Sequence, residues 1–177
     1  MSETGFVVQV PEAESRVRSL RERFDPVARA GVPAHITVLF PFMAPESVDE
    51  SVLRLVRTAI SGIEAFEFAL TTVGRFPTTA YLAPQPAGPF VVLTESLARA
   101  FPAFPPFGGE FESVVPHLTV AHGNATDAEI AAFELSAAMA FQGPIHSVRN
   151  SLVLLENSSG QWRQMHVFPL GRGPGAG

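Results

Sequence analysis

Two histidines in this chain each stand two residues ahead of a threonine. The first lies in Pro33-Ala34-His35-Ile36-Thr37-Val38, the second in Val115-Pro116-His117-Leu118-Thr119-Val120. They are 117 − 35 = 82 positions apart in 177 residues, one in each half. Both runs are β-rich and bounded by proline, so each reads as a strand. Side chains alternate across a strand, so His35 and Thr37 share one face while Ile36 and Val38 take the other. His117 and Thr119 stand likewise against Leu118 and Val120. An imidazole gives or takes a proton near neutral pH, and a threonine hydroxyl donates to an anionic oxygen. One such pair arises easily by chance. Two pairs with matching flanks make a pattern, and facing each other they would form a symmetric cradle for a phosphodiester.

Composition narrows the chemistry further. There is no cysteine, so thiol nucleophiles and thiolate metal sites are excluded and the cytoplasm is the default location. There is no lysine either; all twelve basic residues are arginine. That rules out a covalent lysine–nucleotide intermediate, a lysine Schiff base and a Walker-type phosphate loop. A net charge of −5 argues against a long nucleic-acid track and leaves a small phosphate ester or the end of an RNA chain. The 46% hydrophobic and 16% charged content fits a compact protein. Fifteen phenylalanines against one tyrosine and one tryptophan predict a phenylalanine-rich core. No apolar run is long enough for a bilayer, and the N-terminus lacks a secretory pattern.

The elements that must position the two motifs can be read from periodicity. Gly5 to Val10 is a short strand. Pro11 opens a helix to about Phe24 with an apolar stripe of Ala13, Val17, Leu20 and Phe24; Arg16, Arg18, Arg21 and Arg23 lie mostly off it, as a solvated face. After the first histidine strand, Ser47 and Glu50 form a capping box for a helix to about Ile63, with Val52, Val56, Ile60 and Ile63 facing the core. Phe66 to Phe76 and Thr79 to Ala83 read as a hairpin. The proline-rich stretch Pro84–Pro89 divides the halves. A third helix spans Phe90 to Phe101, and residues 102–109 form an irregular loop that either borders the site or covers the core. After the second histidine strand, Thr126 and Glu129 cap a helix to about Met139. Ile145 to Glu156 is a strand, Asn157 to Gly160 a turn and Gln161 to Leu170 the return strand.

The halves align as helix, histidine strand, capped helix, strand and return strand. The predicted architecture is α+β: a β-α-β-β unit repeated with pseudo-twofold symmetry. It makes one bilobal domain over residues 1–170, with lobes of about 1–84 and 90–170, followed by a flexible tail at 171–177. In this alignment Tyr81 matches Trp162 at a separation of 162 − 81 = 81. Either could stack on a base or simply sit in the core. Arg75 and Arg163 come close to them in the repeat.

The chain resembles the 2H phosphoesterases, in particular the 2′-5′ RNA ligase and RNA 2′,3′-cyclic phosphodiesterase (LigT-like) group. That family's signature is two His-hydrophobic-Thr-hydrophobic motifs, complete here as His35-Ile36-Thr37-Val38 and His117-Leu118-Thr119-Val120. The resemblance covers about residues 5 to 170, because the element order matches too. It implies two antiparallel-sheet lobes with helices outside and both motifs facing a central cleft. It also implies that His35 and His117 are the acid–base pair and Thr37 and Thr119 the phosphate ligands. The expected activity is hydrolysis of a 2′,3′-cyclic phosphate, on an RNA end or a small cyclic nucleotide, to a 2′-phosphate. The reverse would be a 2′-5′ ligation without ATP. No metal or other cofactor is expected, and a monomer is. An arginine could help neutralise the phosphoryl oxygens; Arg75 and Arg163 are the candidates.

Other readings are weaker. A two-histidine metal site wants a third protein ligand, and neither motif has a spaced cluster beside it. Gly-x-Ser-x-Gly is absent, which argues against a serine hydrolase. Alternation puts His122 on the face opposite His117, and His146 and His166 have no patterned partner. The non-enzyme alternative is a nucleotide- or RNA-end-binding protein that keeps the cleft without turnover.

Overall fold

The computed structural model describes residues 1–110 and 113–172. Eight strands form a single antiparallel sheet: β1 (Thr4–Gln9), β2 (His35–Leu39), β3 (Phe66–Phe76), β4 (Thr79–Gln85), β5 (Leu118–His122), β6 (Ile145–Arg149), β7 (Ser151–Glu156) and β8 (Arg163–Pro169). Their order is β6-β3-β4-β5-β2-β1-β7-β8. The helices are α1 (Glu14–Phe24), the short α2 (Pro26–Arg29), α3 (Glu50–Ile60), α4 (Gly88–Ala100) and α5 (Ala125–Gln142). The α+β class and the antiparallel sheet are those expected.

Alternation decides which face of the sheet is covered. Phe6 and Val8 of β1 with Val10 just beyond it, Ile36 and Val38 of β2, and Leu118 and Val120 of β5 enter one buried core with Val17 and Leu20 of α1 and Leu93 and Leu97 of α4. Phenylalanine supplies much of its bulk: Phe42 meets Phe6, Phe101 and Phe104 at ring separations of 4.9–5.1 Å, and Phe90 meets Phe66 and Phe68 at 5.1 and 4.9 Å. Each fully buried ring contributes about 1.5–3 kcal/mol by leaving water. The opposite face of the central strands carries His35 and Thr37, both partly exposed. Helices therefore anchor the back of the strands and leave the chemical side chains on the front.

Several local expectations need correction. Ile145–Glu156 is two strands. β6 pairs with β3 and β7 with β1, so the chain crosses the sheet at Asn150. As a result the halves of the sheet are not the halves of the sequence. β5-β4-β3-β6 and β2-β1-β7-β8 each take two strands from residues 4–85 and two from 118–169. The cap of α3 is Asp49, whose carboxylate accepts from Val52 N–H at 3.0 Å; Ser47 is consumed in the turn begun by Pro45. The cap of α5 is Asn124, which accepts from Asp127 N–H at 2.8 Å and donates to the Asp127 carboxylate at 2.7 Å. The α1 arginines are a solvated face only in part: Arg18 and Arg23 are exposed, whereas Arg16 and Arg21 are not. Arg21 is buried and ion-paired with Asp25 at 2.9 Å, Arg23 pairs with Glu134, and Arg16 donates to the Gly143 carbonyl at 2.6 Å. The last two tie α1 to α5. Gly171, expected to begin the tail, bonds to the Ile63 carbonyl at 2.9 Å; the rest of the predicted tail from residue 173 lies outside the described residues.

Candidate active site

The cleft floor is built where β2 meets β5. Ile36 pairs antiparallel with Leu118, and both side chains are fully buried on the helix face. The register sum is 36 + 118 = 154, so His35 falls across from Thr119 (35 + 119) and Thr37 across from His117 (37 + 117). These pairs lie on the open face, and directly opposed β-carbons are about 4.5–5.5 Å apart. Each imidazole therefore has a hydroxyl two residues along its own chain and another across the strand gap. A pseudo-twofold axis through the Ile36–Leu118 pair relates the two sets.

Both rings are oriented in the same way. His35 Nδ1 donates to the Pro33 carbonyl at 2.8 Å and His117 Nδ1 to the Val115 carbonyl at 2.7 Å. A carbonyl only accepts, so Nδ1 carries the proton and Nε2 is left to act in the cleft. Burial pushes His35 down to about 4, with the Arg21 guanidinium adding to the effect and the Pro33 carbonyl and Asp25 opposing it. Burial also lowers His117, against the pull of the Val115 carbonyl, and His122 lowers it further. Both imidazoles are thus favoured as neutral bases in the free protein.

The surroundings of the two rings differ. A cavity of about 110 Å³ beside His35 and Thr37 is walled by Val7, Val27, Val32, Phe40 and Trp162 among others. The Phe40 and Trp162 rings meet edge-on at 5.9 Å. His117 instead sits among aromatic rings: Phe76 at 5.2 Å, Tyr81 at 5.3 Å and Phe107, near-parallel, at 6.2 Å. The loop before β5 therefore borders the site. It is anchored there by Phe107 N–H, which donates to the Phe40 carbonyl at 2.7 Å. A larger depression of about 380 Å³ lies away from both pairs, at the β6 edge, among Glu12, Glu67, His146 and Arg149.

Of the residues singled out in the sequence, His35, Thr37, His117 and Thr119 converge on the floor, and Tyr81 and Trp162 border it. Tyr81 and Trp162 are not counterparts, however. Tyr81 pairs with Thr119, and the place beside Thr37 that corresponds to it belongs to Val7. Arg75 and Arg163 are not in the cleft. Arg75 is paired with Ala80, which faces α5, and its guanidinium approaches the Ala125 carbonyl at 3.5 Å. Arg163 shares the row of Glu156 and the buried Thr4 and is bonded to the Glu156 carboxylate. His122 is corrected in the other direction. A bulge opposite Ala80 and Tyr81 turns both Val120 and Ala121 inward. His122 thereby returns to the face of Thr119, where its Nδ1 lies 2.9 Å from Thr79 Oγ1. Gln9 was missed. It pairs with His35 and so shares its face, a placement implied by its alternation with Val8 and Val10. Among the described residues there is no group of three or more histidines and carboxylates that could hold a metal ion, and no helix long and apolar enough to cross a membrane.

Comparison with known proteins places this geometry. Residues 9–161 match the family model of the 2′-5′ RNA ligase superfamily, the 2H phosphoesterases. The chain belongs to that superfamily. A candidate phosphoesterase of Bacillus cytotoxicus is 29% identical over 166 residues, covering 90% of this chain and 91% of the relative. A solved structure of similar fold is TT0787 of Thermus thermophilus, with a TM-score of 0.64 at 17% identity, covering 96% of this chain and 98% of the other. Another is E. coli LigT complexed with NADP+, with a TM-score of 0.61 at 18% identity, covering 97% and 98%. At these identities the structural likeness speaks for the fold, while the superfamily match speaks for a phosphoesterase.

Proposed function

We propose that the protein is a cyclic phosphodiesterase that opens a 2′,3′-cyclic phosphate, on an RNA end or a small cyclic nucleotide, to a 2′-phosphate. The observation that carries this reading is the register that sets His35 against Thr119 and His117 against Thr37 on one open face. A phosphate seated over the Ile36–Leu118 pair would meet two hydroxyl donors and two Nε2 atoms from opposite sides. His35, pushed down to about 4, is the general base and takes a proton from the attacking water. A P–O bond forms to that water oxygen, and the P–O bond to the ribose 3′ oxygen breaks. His117 supplies the proton to that leaving oxygen. The bound anion raises its basicity. Thr37 and Thr119 meet the charge that builds on the phosphoryl oxygens. A ribose hydroxyl in place of water would make a 2′-5′ bond without ATP. Residues 1–170 act as one bilobal, cytoplasmic, monomeric unit.

E. coli LigT has been crystallised with NADP+ and with 3′-AMP, which supports a nucleotide ligand for the cleft. The test is a panel of 2′,3′-cyclic mononucleotides and cyclic-ended oligonucleotides assayed in chelator, with product regiochemistry read by phosphorus NMR. Turnover to 2′-phosphates is expected. Binding without turnover across the panel would leave a nucleotide-binding protein instead.

A further inference from the structure

The pseudo-twofold relation between the two His-Thr pairs breaks at the first residue outward. Gln9 of β1 is the cross-strand partner of His35 on the cleft face. The equivalent place beside His117 belongs to Ala83, since Leu82 pairs with Leu118 and 82 + 118 = 83 + 117 = 200. Thr119 is flanked by Tyr81, and Thr37 by Val7. One row across the floor thus reads Gln9–His35–Thr119–Tyr81, with a hydrogen-bonding group at every position. The other reads Ala83–His117–Thr37–Val7 and ends in methyl groups on both sides. The Gln9 side chain is partly exposed, and its amide has no hydrogen-bond partner among the described residues. Its strand neighbours Val8 and Val10 are fully buried in the core, so Gln9 adds nothing to packing there.

This asymmetry has a chemical use. A cyclic phosphate offers two ester oxygens to two imidazoles. Turned end for end in a symmetric cradle, it would have the other oxygen protonated and the other monoester released. The imidazoles and hydroxyls alone do not distinguish the two orientations. We propose that Gln9 is a specificity-determining residue that hydrogen-bonds the nucleoside of the bound cyclic phosphate and thereby selects which P–O bond breaks. An amide is neutral and offers both donors and an acceptor, so it suits a sugar hydroxyl or a base edge rather than a second phosphate. In the favoured orientation water adds to phosphorus, one ribose oxygen departs with the proton from His117, and His35 keeps the proton from water. In the reverse orientation the histidines keep their roles: water again gives its proton to His35, the other ribose oxygen departs with the proton from His117, and the isomeric monoester is formed. The inference rests on the hydrolytic reading above.

The experiment compares wild type, Gln9→Ala and the double variant Gln9→Ala/Ala83→Gln on 2′,3′-cyclic AMP, CMP, GMP and UMP. Folding is checked by circular dichroism and the ratio of 2′- to 3′-phosphate by phosphorus NMR. Wild type should give one isomer. Gln9→Ala should raise KM by about two- to tenfold, the size of one lost neutral hydrogen bond, and release both isomers. Moving the amide to the other row should shift the ratio further toward the minor isomer. A folded Gln9→Ala protein with wild-type KM and a single product would overturn the assignment while leaving the hydrolytic reading intact. A wild-type protein that turns over none of the four substrates and no cyclic-ended oligonucleotide would overturn both.

Discussion

The Tyr81 ring lies across Gly74 of the neighbouring strand, so closely that a β-carbon on Gly74 would overlap it. That contact, with Phe76 at 4.6 Å, steers the phenol toward His117. A glycine in mid-strand weakens the strand, and its use here marks a close approach. Gly74→Ala should therefore push the ring off its seat. The expected result is a several-fold rise in KM for cyclic nucleotides with a smaller change in kcat. Tyr81→Leu should reproduce it. Unchanged kinetics in both variants would remove the ring from the binding site.

His35 and His117 should behave as one unit. Each His→Ala change should lower kcat/KM by about 10²–10⁴, the usual contribution of a general acid or base, and the double variant should lose much less than the product of the two. Thr37→Ala and Thr119→Ala should each cost about 1.5–3 kcal/mol of transition-state stabilisation, the worth of a hydrogen bond to a charged group. Steady-state kinetics on the best cyclic nucleotide decides this. A folded His35→Ala or His117→Ala protein with wild-type turnover would sink the two-histidine mechanism.

Both imidazoles are lowered from the usual histidine value of 6.5, His35 to about 4. The base is then available well into the acid range, whereas the protonated acid is lost as pH rises through a lowered value. The bell in kcat/KM should accordingly peak below pH 6.5, with limits that belong to the pair. The same shift acts on stability. Between pH 6.5 and 4 the unfolded chain binds a proton at His35 that the folded chain does not. Stability should therefore fall as pH drops through that window, by on the order of 1–2 kcal/mol from this group after allowance for its open side. His35→Gln should flatten the slope, as measured by urea unfolding at pH 4 and 7. An optimum above pH 7 would contradict the first expectation, and equal slopes the second.

Arg21 and Asp25 form the buried ion pair behind this wall of the cleft, and Asp25 also accepts from Val27 N–H at 3.1 Å. Asp25→Ala should leave the guanidinium buried without its partner and cost about 3–5 kcal/mol. Replacing both by apolar residues of similar size should cost much less. Thermal melts of Asp25→Ala and of the double variant Arg21→Met/Asp25→Leu make the comparison.

The four chemical residues were legible because alternation is a local rule: His35 with Thr37, and His117 with Thr119, need only a strand. What the sequence did not reveal depends on pairing. The spacing of Tyr81 and Trp162 nearly repeats that of the histidines, yet β4 lies beside β5 while β8 is an edge strand. Their match was therefore numerical. Counting along β5 sends His122 to the back, and only the bulge against β4 returns it to the front. Arg75 alternates with Gly74 and Phe76, but which of those faces is the cleft is decided by β5, more than forty residues further along the chain.

The crossing at Asn150 has a consequence for how such a protein comes into being. Neither half of the chain holds a complete half of the sheet. Residues 1–86 alone would leave β1 without β7 and β4 without β5, exposing strand edges that invite aggregation. The pairing of Thr4 with Glu156 spans nearly the whole polypeptide, and contacts of that separation close late. The cleft therefore needs strands from both halves of the chain, and two fragments divided near residue 87 should recover activity only when they are made together.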